Sequence, residues 1–112
     1  MLTKRQNQMA RLMQKELADI FLKEARNWLP GIMLTVTMVK MSPDLGLAKV
    51  YVSVFPSQNA DAAIAEIRKI SGLIRKMLGD SIKNQVRRIP ELVFYFDDTQ
   101  DYMQRIDDAL KS

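Results

Sequence analysis

The sequence predicts a single α+β domain, residues 1–112, in which helices cover one face of a three-stranded sheet. Two observations lead to this prediction. Apolar residues recur first at helical spacing, then alternate with polar residues through two consecutive runs, and return to helical spacing before a third alternating run. Only short turn segments separate these stretches, and no repeat or linker divides the chain. The predicted order is α-β-β-α-α-β-α, with a kink between the two central helices.

The first helix has one apolar face and ends at Pro30-Gly31, because neither residue continues a helix well. Two alternating runs follow, residues 32–41 and Leu47–Phe55, and the turn-rich segment between them predicts a β-hairpin. In that turn Pro43 presets its own φ, and Gly46 tolerates a positive φ. The side chains predicted to face the core are Ile32, Leu34, Val36 and Met38 from the first run and Ala48, Val50, Val52 and Val54 from the second.

A second helical stretch runs from residue 59 to residue 86 and is interrupted at Ser71-Gly72. Pro90 then excludes helix, and residues 92–97 alternate as a third strand. Asp98 is expected to cap a last helix. This order places the kinked helix pair between the hairpin and the third strand.

Charge is unevenly distributed over the chain, whose formal net charge is +4. Residues 1–15 carry four cations and no acid, residues 68–88 carry seven cations and one acid, and residues 97–108 carry five aspartates and one arginine. A helix interruption frees backbone N–H groups, and with basic pairs on both sides it is typical of phosphate binding. The predicted RNA-binding residues are Lys4, Arg5, Arg11, Lys15, Arg68, Lys69, Ser71, Gly72, Arg75, Lys76, Lys83, Arg87 and Arg88.

Each of these features also has a simpler interpretation. Gly72 can be explained as a helix-breaking residue that lets two helices pack on the sheet. The cations near the kink can be explained as a solvated helix face, which is the common fate of charged clusters. Those of the first helix would also suit a membrane surface. From the residues alone, these alternatives stay open.

Several classes of function are disfavoured by what the sequence lacks. With no histidine, no cysteine and no glycine-rich phosphate loop, we expect no enzyme, cofactor or small-molecule substrate. Asp97, Asp98 and Asp101 could bind magnesium, but the start of a helix explains them better, because acids in the first turn complement its dipole and no second ligand group is evident. No apolar run approaches the roughly 20 residues of a membrane span, so we expect no membrane partner. We also expect the protein to be cytoplasmic and monomeric.

Three stretches in this order resemble the bacterial ribosome-binding factor A family. They are SPDLGLAKVYVSV at residues 42–54, SGLIR at residues 71–75 and RIPELVF at residues 88–94. The element order with a kinked helix pair is similarly that of a type II KH domain. In that family an Ala-x-Gly sequence replaces the Gly-x-x-Gly loop of other KH domains, and the matching positions here are Ile70-Ser71-Gly72.

The resemblance implies a KH-like assembly factor for the small (30S) ribosomal subunit. Such a factor binds the immature subunit and its 16S rRNA, supports rRNA processing and is needed for growth in the cold. The RNA contact would lie at the kink, where Ile70 stands in place of the family's small residue. The alternative hypothesis is a KH-like RNA-binding or protein-interaction module without a ribosome-specific role.

Overall fold

The structure is a computed structural model that describes residues 3–97. Helix α1 comes first and is followed by the hairpin β1–β2, a short 3-10 helix, the helix pair α2–α3 and strand β3, which confirms the predicted order for these residues. The bounds are Lys4–Trp28 for α1, Met33–Met41 for β1, Leu47–Phe55 for β2, Ser57–Asn59 for the 3-10 helix, Ala60–Lys69 for α2, Ser71–Ile82 for α3 and Glu91–Phe96 for β3. The predicted helix after Asp98 lies outside the described residues.

The sheet has the order β1-β2-β3, so β2 is central and β3 lies at an edge. β1 and β2 are antiparallel, whereas β3 runs parallel to β2, with Leu47 opposite Glu91 and Val52 opposite Phe96. A parallel neighbour requires a long crossover, and α2 with α3 provides it. The order and the kinked helix pair are those of a type II KH-like domain.

The helices cover one face of the sheet and enclose the core. From β2 the predicted inward set is confirmed, because Ala48, Val50, Val52 and Val54 are all buried. Phe21 of α1 lies 6.2 Å from the ring of Phe94 in β3, measured between centroids. Met13, Leu17, Ile67, Ile74 and Leu78 complete the helical side of this core. α1 and the crossover helices therefore pack on the same face of the sheet.

The inward set predicted for β1 is wrong at its last member, Met38, whereas Val36 is buried as predicted. Val36 pairs with Val52 but Met38 pairs with Tyr51, so Thr37 is an extra residue and forms a bulge. The side chain of Met38 is consequently 39% exposed, and Val39 and Met41 are buried instead. A single inserted residue reverses the alternation because side chains point to opposite faces with period two.

The positive φ of the hairpin turn lies one residue before the glycine that would tolerate it. Leu45, not Gly46, has the positive φ, at 62°. The turn is held by Asp44, whose carboxylate accepts hydrogen bonds from the Ser42 hydroxyl at 2.7 Å and from the Gly46 N–H at 3.0 Å. Gly46 is buried and its role is in packing, since Arg88 lies against it. Among residues 3–97 there is no helix long and apolar enough to cross a membrane.

Candidate nucleic-acid interface

The helix pair is kinked at Ile70, one residue before the predicted break at Ser71-Gly72. Ile70 has φ −101° and ψ 16°, ends α2 and begins α3, and its half-buried side chain packs against the core. Ser71 and Gly72 therefore form the first turn of α3, which no side chain caps. The first N–H groups of a helix have no carbonyl partner within it, so this turn offers donors to a ligand.

Gly72 is exposed at this turn and is not needed for packing. A Cβ atom placed on it would have no heavy atom within 4 Å among its described surroundings. Its φ also lies outside the left-handed region. The packing explanation of this glycine is therefore not supported, whereas close approach of a ligand backbone to Gly72 is unobstructed.

β3 lies at an edge of the described sheet, beside the kink. Glu91 and Asp97 donate their N–H groups to the carbonyls of Gly46 and Val52 on the β2 side. In a β-strand the N–H and C=O of one residue point to the same side, so the even-numbered residues of β3 direct both groups away from β2. No other strand among residues 3–97 pairs with these outward groups.

Arg68 binds this edge from the helix pair, and Arg75 binds the segment just before β3. Arg68 donates from Nε and Nη2 to the carbonyl oxygen of Phe94, at 3.2 and 3.0 Å. Arg75 donates from Nε to Pro90 at 3.0 Å and from Nη2 to Ile89 at 2.7 Å. Both arginines were predicted to bind RNA, and both also tie the crossover helices to β3 or to the segment just before it. Each guanidinium has five N–H groups, so others remain for a ligand.

A cleft of about 270 Å³ lies between the kink and the edge of β3. Ser71, Gly72 and Arg75 form its helical wall, and Glu91 and Leu92 form its strand wall. Sequence reasoning missed the strand wall. Glu91 and Leu92 can be recognised as part of the cleft only from the strand order, which places β3 at an edge of the sheet.

Three further predicted cations lie on the exposed surface of the crossover region. Lys69 ends α2, Lys76 lies one residue after Arg75 on α3, and Lys83 follows α3. Their side chains make no hydrogen bond or ion pair with any residue from 3 to 97. A charged side chain without a protein partner is free to neutralise a phosphate. Lys69 and Lys76 are the nearest in sequence to the cleft.

Arg87 and Arg88 belong to a different place from the kink. They line a second cavity of about 400 Å³ between α1, the hairpin turn and the loop after α3. Its lining residues are Arg5, Gln8, Met9, Leu12, Asp44, Leu45, Gln85, Val86, Arg87 and Arg88. Of the predicted cations, Arg75 lines the cleft, whereas Arg5, Arg87 and Arg88 line this second cavity. Lys4, Arg11 and Lys15 are exposed on α1 and line neither of them.

The N-terminus of α1 is fixed by a capping box that sequence reasoning overlooked. The Thr3 hydroxyl accepts the Gln6 N–H at 3.1 Å, and the Gln6 side chain accepts the Thr3 N–H at 2.8 Å. The Gln6 amide is buried and donates to the Met41 carbonyl at 3.2 Å. This contact ties the start of α1, with its basic residues, to the end of β1.

Metal binding has no site within the described part of the chain. No group of three or more aspartates, glutamates, histidines or cysteines among residues 3–97 is placed to hold an ion. Of the predicted acidic cluster, only Asp97 lies in that range. The polar side chains that line the two concave sites are Ser71, Arg75 and Glu91 in the cleft and Arg5, Gln8, Asp44, Gln85, Arg87 and Arg88 in the second cavity.

Comparison with known proteins agrees with this fold. The crystal structure of ribosome-binding factor A from Thermus thermophilus has a TM-score of 0.68 at 22% identity, covering 80% of this chain and 93% of that one. Coordinates of the T. thermophilus protein fitted into a cryo-EM map of a 30S–RbfA complex have a TM-score of 0.62 at 22% identity. They cover 79% of this chain and 90% of that one.

Similarity in sequence is closer. The family model for ribosome-binding factor A matches residues 5–110. The ribosome-binding factor A of Cytophaga hutchinsonii is 46% identical over 106 residues, which represent 95% of this chain and 80% of that protein. Both matches span nearly the whole chain. This protein therefore belongs to the ribosome-binding factor A family.

Proposed function

We propose that this protein binds the immature small (30S) ribosomal subunit and acts as an assembly factor without catalysing a reaction. Family membership supports a ribosome-binding role, and the T. thermophilus relative is described in a complex with the 30S particle. The observation that carries the proposal is the cleft at the kink, where the uncapped first turn of α3, Gly72 and Arg75 come together. These are the groups that recognise a phosphate backbone.

In the proposed complex a single strand of 16S rRNA lies along the cleft. Its phosphates meet the first turn of α3 and the ammonium groups of Lys69 and Lys76. The edge of β3 at Leu92, with which no strand among residues 3–97 pairs, offers backbone donors and acceptors to the base edges. Unpaired nucleotides suit such a cleft because their bases are accessible, so the protein would prefer rRNA that has not reached its final pairing.

This preference is sufficient for a role in maturation. A protein shifts a conformational equilibrium only by binding one state more tightly than the other. By binding immature rRNA, the protein would stabilise a conformer that processing enzymes accept. Cold slows rearrangement of mispaired rRNA, so the same activity would matter most at low temperature. We place this role in the cytoplasm and assign it to a monomer without a cofactor.

Co-sedimentation with purified small subunits, large subunits and assembled ribosomes tests the proposal. We expect the wild-type protein to be retained on small subunits at raised salt and lost from the other particles. Lys69→Glu with Lys76→Glu should abolish that retention while the circular dichroism spectrum stays unchanged, because neither side chain makes a hydrogen bond or ion pair with a described residue. Arg75 is left intact, since its bonds to Ile89 and Pro90 support the fold. Equal loss of wild-type protein from all three particles would contradict the proposal.

The outer face of the sheet supports a second candidate, a protein-interaction module. There the rings of Tyr51 and Tyr95 stack at 5.5 Å, and Lys40 lies 5.7 Å from the Tyr51 ring centroid. Lys49 lies directly opposite Lys40 in the hairpin. Lys40→Glu with Lys49→Glu changes the charge as much as the kink variant does. If this pair rather than the kink pair loses association with the subunit, the outer face is the docking surface.

A further inference from the structure

We propose that the cavity between α1, the hairpin turn and the loop after α3 binds one unstacked ribonucleotide, separately from the cleft at the kink. We call it the α1 pocket and define it by Arg5, Met9, Leu12, Leu45, Val86 and Arg87. That the nucleotide belongs to rRNA rests on the proposed function. The pocket itself is argued from its own shape, charge and backbone.

The α1 pocket has the size and lining of a small-molecule site. Its volume of about 400 Å³ falls in the range of known ligand pockets. Met9, Leu12, Leu45 and Val86 are half-buried and pack against the core, so they form an apolar floor. A nucleobase presents a flat apolar face of the kind that such a floor covers.

The charge at its rim suits a phosphate. Arg5 and Arg87 are exposed and make no hydrogen bond or ion pair with a described residue. Asp44 is the one carboxylate among the lining residues, and its Oδ1 already accepts hydrogen bonds from Ser42 and Gly46. Two arginines therefore remain available for an anion, and guanidinium groups bind phosphate through paired hydrogen bonds.

Two amide side chains, Gln8 and Gln85, complete the rim. Each is exposed, and neither side chain hydrogen bonds to another residue of the described chain. A primary amide carries both donors and an acceptor, which is the combination that reads the edge of an unpaired base. The pocket thus offers distinct groups for the face, the edge and the phosphate of one nucleotide.

Backbone strain marks the same place. Leu45 has φ 62°, a conformation that costs a branched residue energy, and its side chain belongs to the pocket floor. A glycine or asparagine would adopt this turn with less strain. Strained residues are concentrated at functional sites, where the surrounding structure holds them in place.

The loop after α3 joins the pocket to the cleft. Arg87 borders the pocket, and two residues later the Ile89 carbonyl accepts a hydrogen bond from Arg75 of the cleft wall at 2.7 Å. The proposed path takes an RNA strand from the cleft along this loop to the pocket. One base turned out of that strand would enter it.

A ¹⁵N NMR titration tests the pocket without a ribosome. The probes are adenosine, uridine, guanosine and cytidine 5′-monophosphates, compared with ribose 5-phosphate and inorganic phosphate. We expect at least one nucleotide to shift the amides of Met9, Leu45 and Val86 saturably, and at least about tenfold more tightly than ribose 5-phosphate does. Equal shifts from ribose 5-phosphate, or no saturation with any nucleotide, would overturn the proposal.

A pair of variants tests the assigned contacts. Arg5→Ala with Arg87→Ala should weaken nucleotide binding by about tenfold or more, because charge-assisted hydrogen bonds are lost. Lys40→Ala with Lys49→Ala removes the same charge from the outer face of the sheet and should leave binding unchanged. Equal weakening by both pairs would mean a general charge effect and refute the pocket.

The outcomes separate this inference from the proposed function. Retention of wild-type protein on small subunits without nucleotide binding would refute the pocket and leave the assembly role standing. Saturation of the same amides by a tetraglutamate peptide, but by no nucleotide, would identify a protein-docking site and also refute it. Nucleotide binding in a protein that does not associate with subunits would support the pocket and contradict the assembly role.

Discussion

The guanidinium of Arg88 lies directly against Gly46, so that a Cβ atom on this glycine would be 3.0 Å from Nη2 of Arg88. Gly46 has no positive φ, and its glycine identity is explained by this close approach. The contact joins the hairpin turn to the loop after α3. It thereby shapes one wall of the cavity beside α1.

Gly46→Ala should displace the Arg88 guanidinium and change the free energy of unfolding by less than about 1 kcal/mol. The displaced group is the end of a flexible side chain, and alanine also restricts the unfolded chain, which offsets part of the cost. Urea denaturation measures the stability. A much larger loss would show that the backbone around Gly46, rather than Arg88, cannot accept the methyl group.

Arg68→Ala and Arg75→Ala should each lower the free energy of unfolding by about 1 kcal/mol, because carbonyls in β3 or just before it lose charged donors. This figure is below the usual range for hydrogen bonds to charged groups, since both arginines are exposed and water replaces part of the interaction. Chemical denaturation of both variants checks it. Lys69→Ala and Lys76→Ala are the matched controls and should stay within about 0.5 kcal/mol of wild type.

Lys69→Ala with Lys76→Ala should reduce the salt dependence of RNA binding. Each phosphate contact on a single strand contributes about 0.7 to the slope of log affinity against log salt, so the slope should fall by about 1.4. Fluorescence anisotropy with a single-stranded 16S rRNA fragment at several potassium chloride concentrations measures it. An unchanged slope, or an equal fall for Lys40→Ala with Lys49→Ala, would place the phosphate contacts elsewhere.

Asp44 should make stability depend on pH in the acid range. The Ser42 hydroxyl, the Gly46 N–H and the charge of Arg88 hold the pKa of Asp44 below its ordinary value of 3.8. A carboxyl whose pKa is lower in the folded state stabilises the fold above its unfolded pKa, and this contribution disappears as pH falls through the folded pKa.

Asp44→Asn keeps the side-chain oxygen and removes the charge. The difference in unfolding free energy between wild type and this variant should be constant above about pH 5 and shrink as pH falls below about 4. Urea denaturation over a pH series measures that difference. A gap that stays constant into strong acid would mean that the ionised carboxylate contributes nothing to the turn.

Much of the architecture could be predicted because local patterns report on burial. The alternation of Ala48, Val50, Val52 and Val54 predicted β2 correctly, since a central strand without irregularity keeps period two. The same reasoning failed at Met38, because a bulge depends on how two strands pair and leaves no mark in one of them. The kink was predicted one residue late for a similar reason: packing of Ile70 against the core determines where α2 ends.

The sequence identified which lysines and arginines are candidates for RNA binding, but not where each of them lies in the fold. Charge patterning predicted RNA binding by Arg75 and Arg88 alike. In the structure Arg75 hydrogen bonds to the Pro90 carbonyl just before β3, whereas Arg88 lies against Gly46 of the hairpin turn. Their separation follows from the loop between them, which turns away from α3 before β3 begins. The strand wall of the cleft, Glu91 and Leu92, carried no signal of its own.

The sequence by itself determined the order of elements, the apolar faces and the supply of cations, because each depends on residues close together in the chain. Tertiary structure alone decided which groups meet: Arg68 with Phe94, Arg88 with Gly46, and the three segments that enclose the α1 pocket. The physical reason is that these contacts join residues far apart in sequence. Their geometry is set by how helices and strands pack, which no local pattern records.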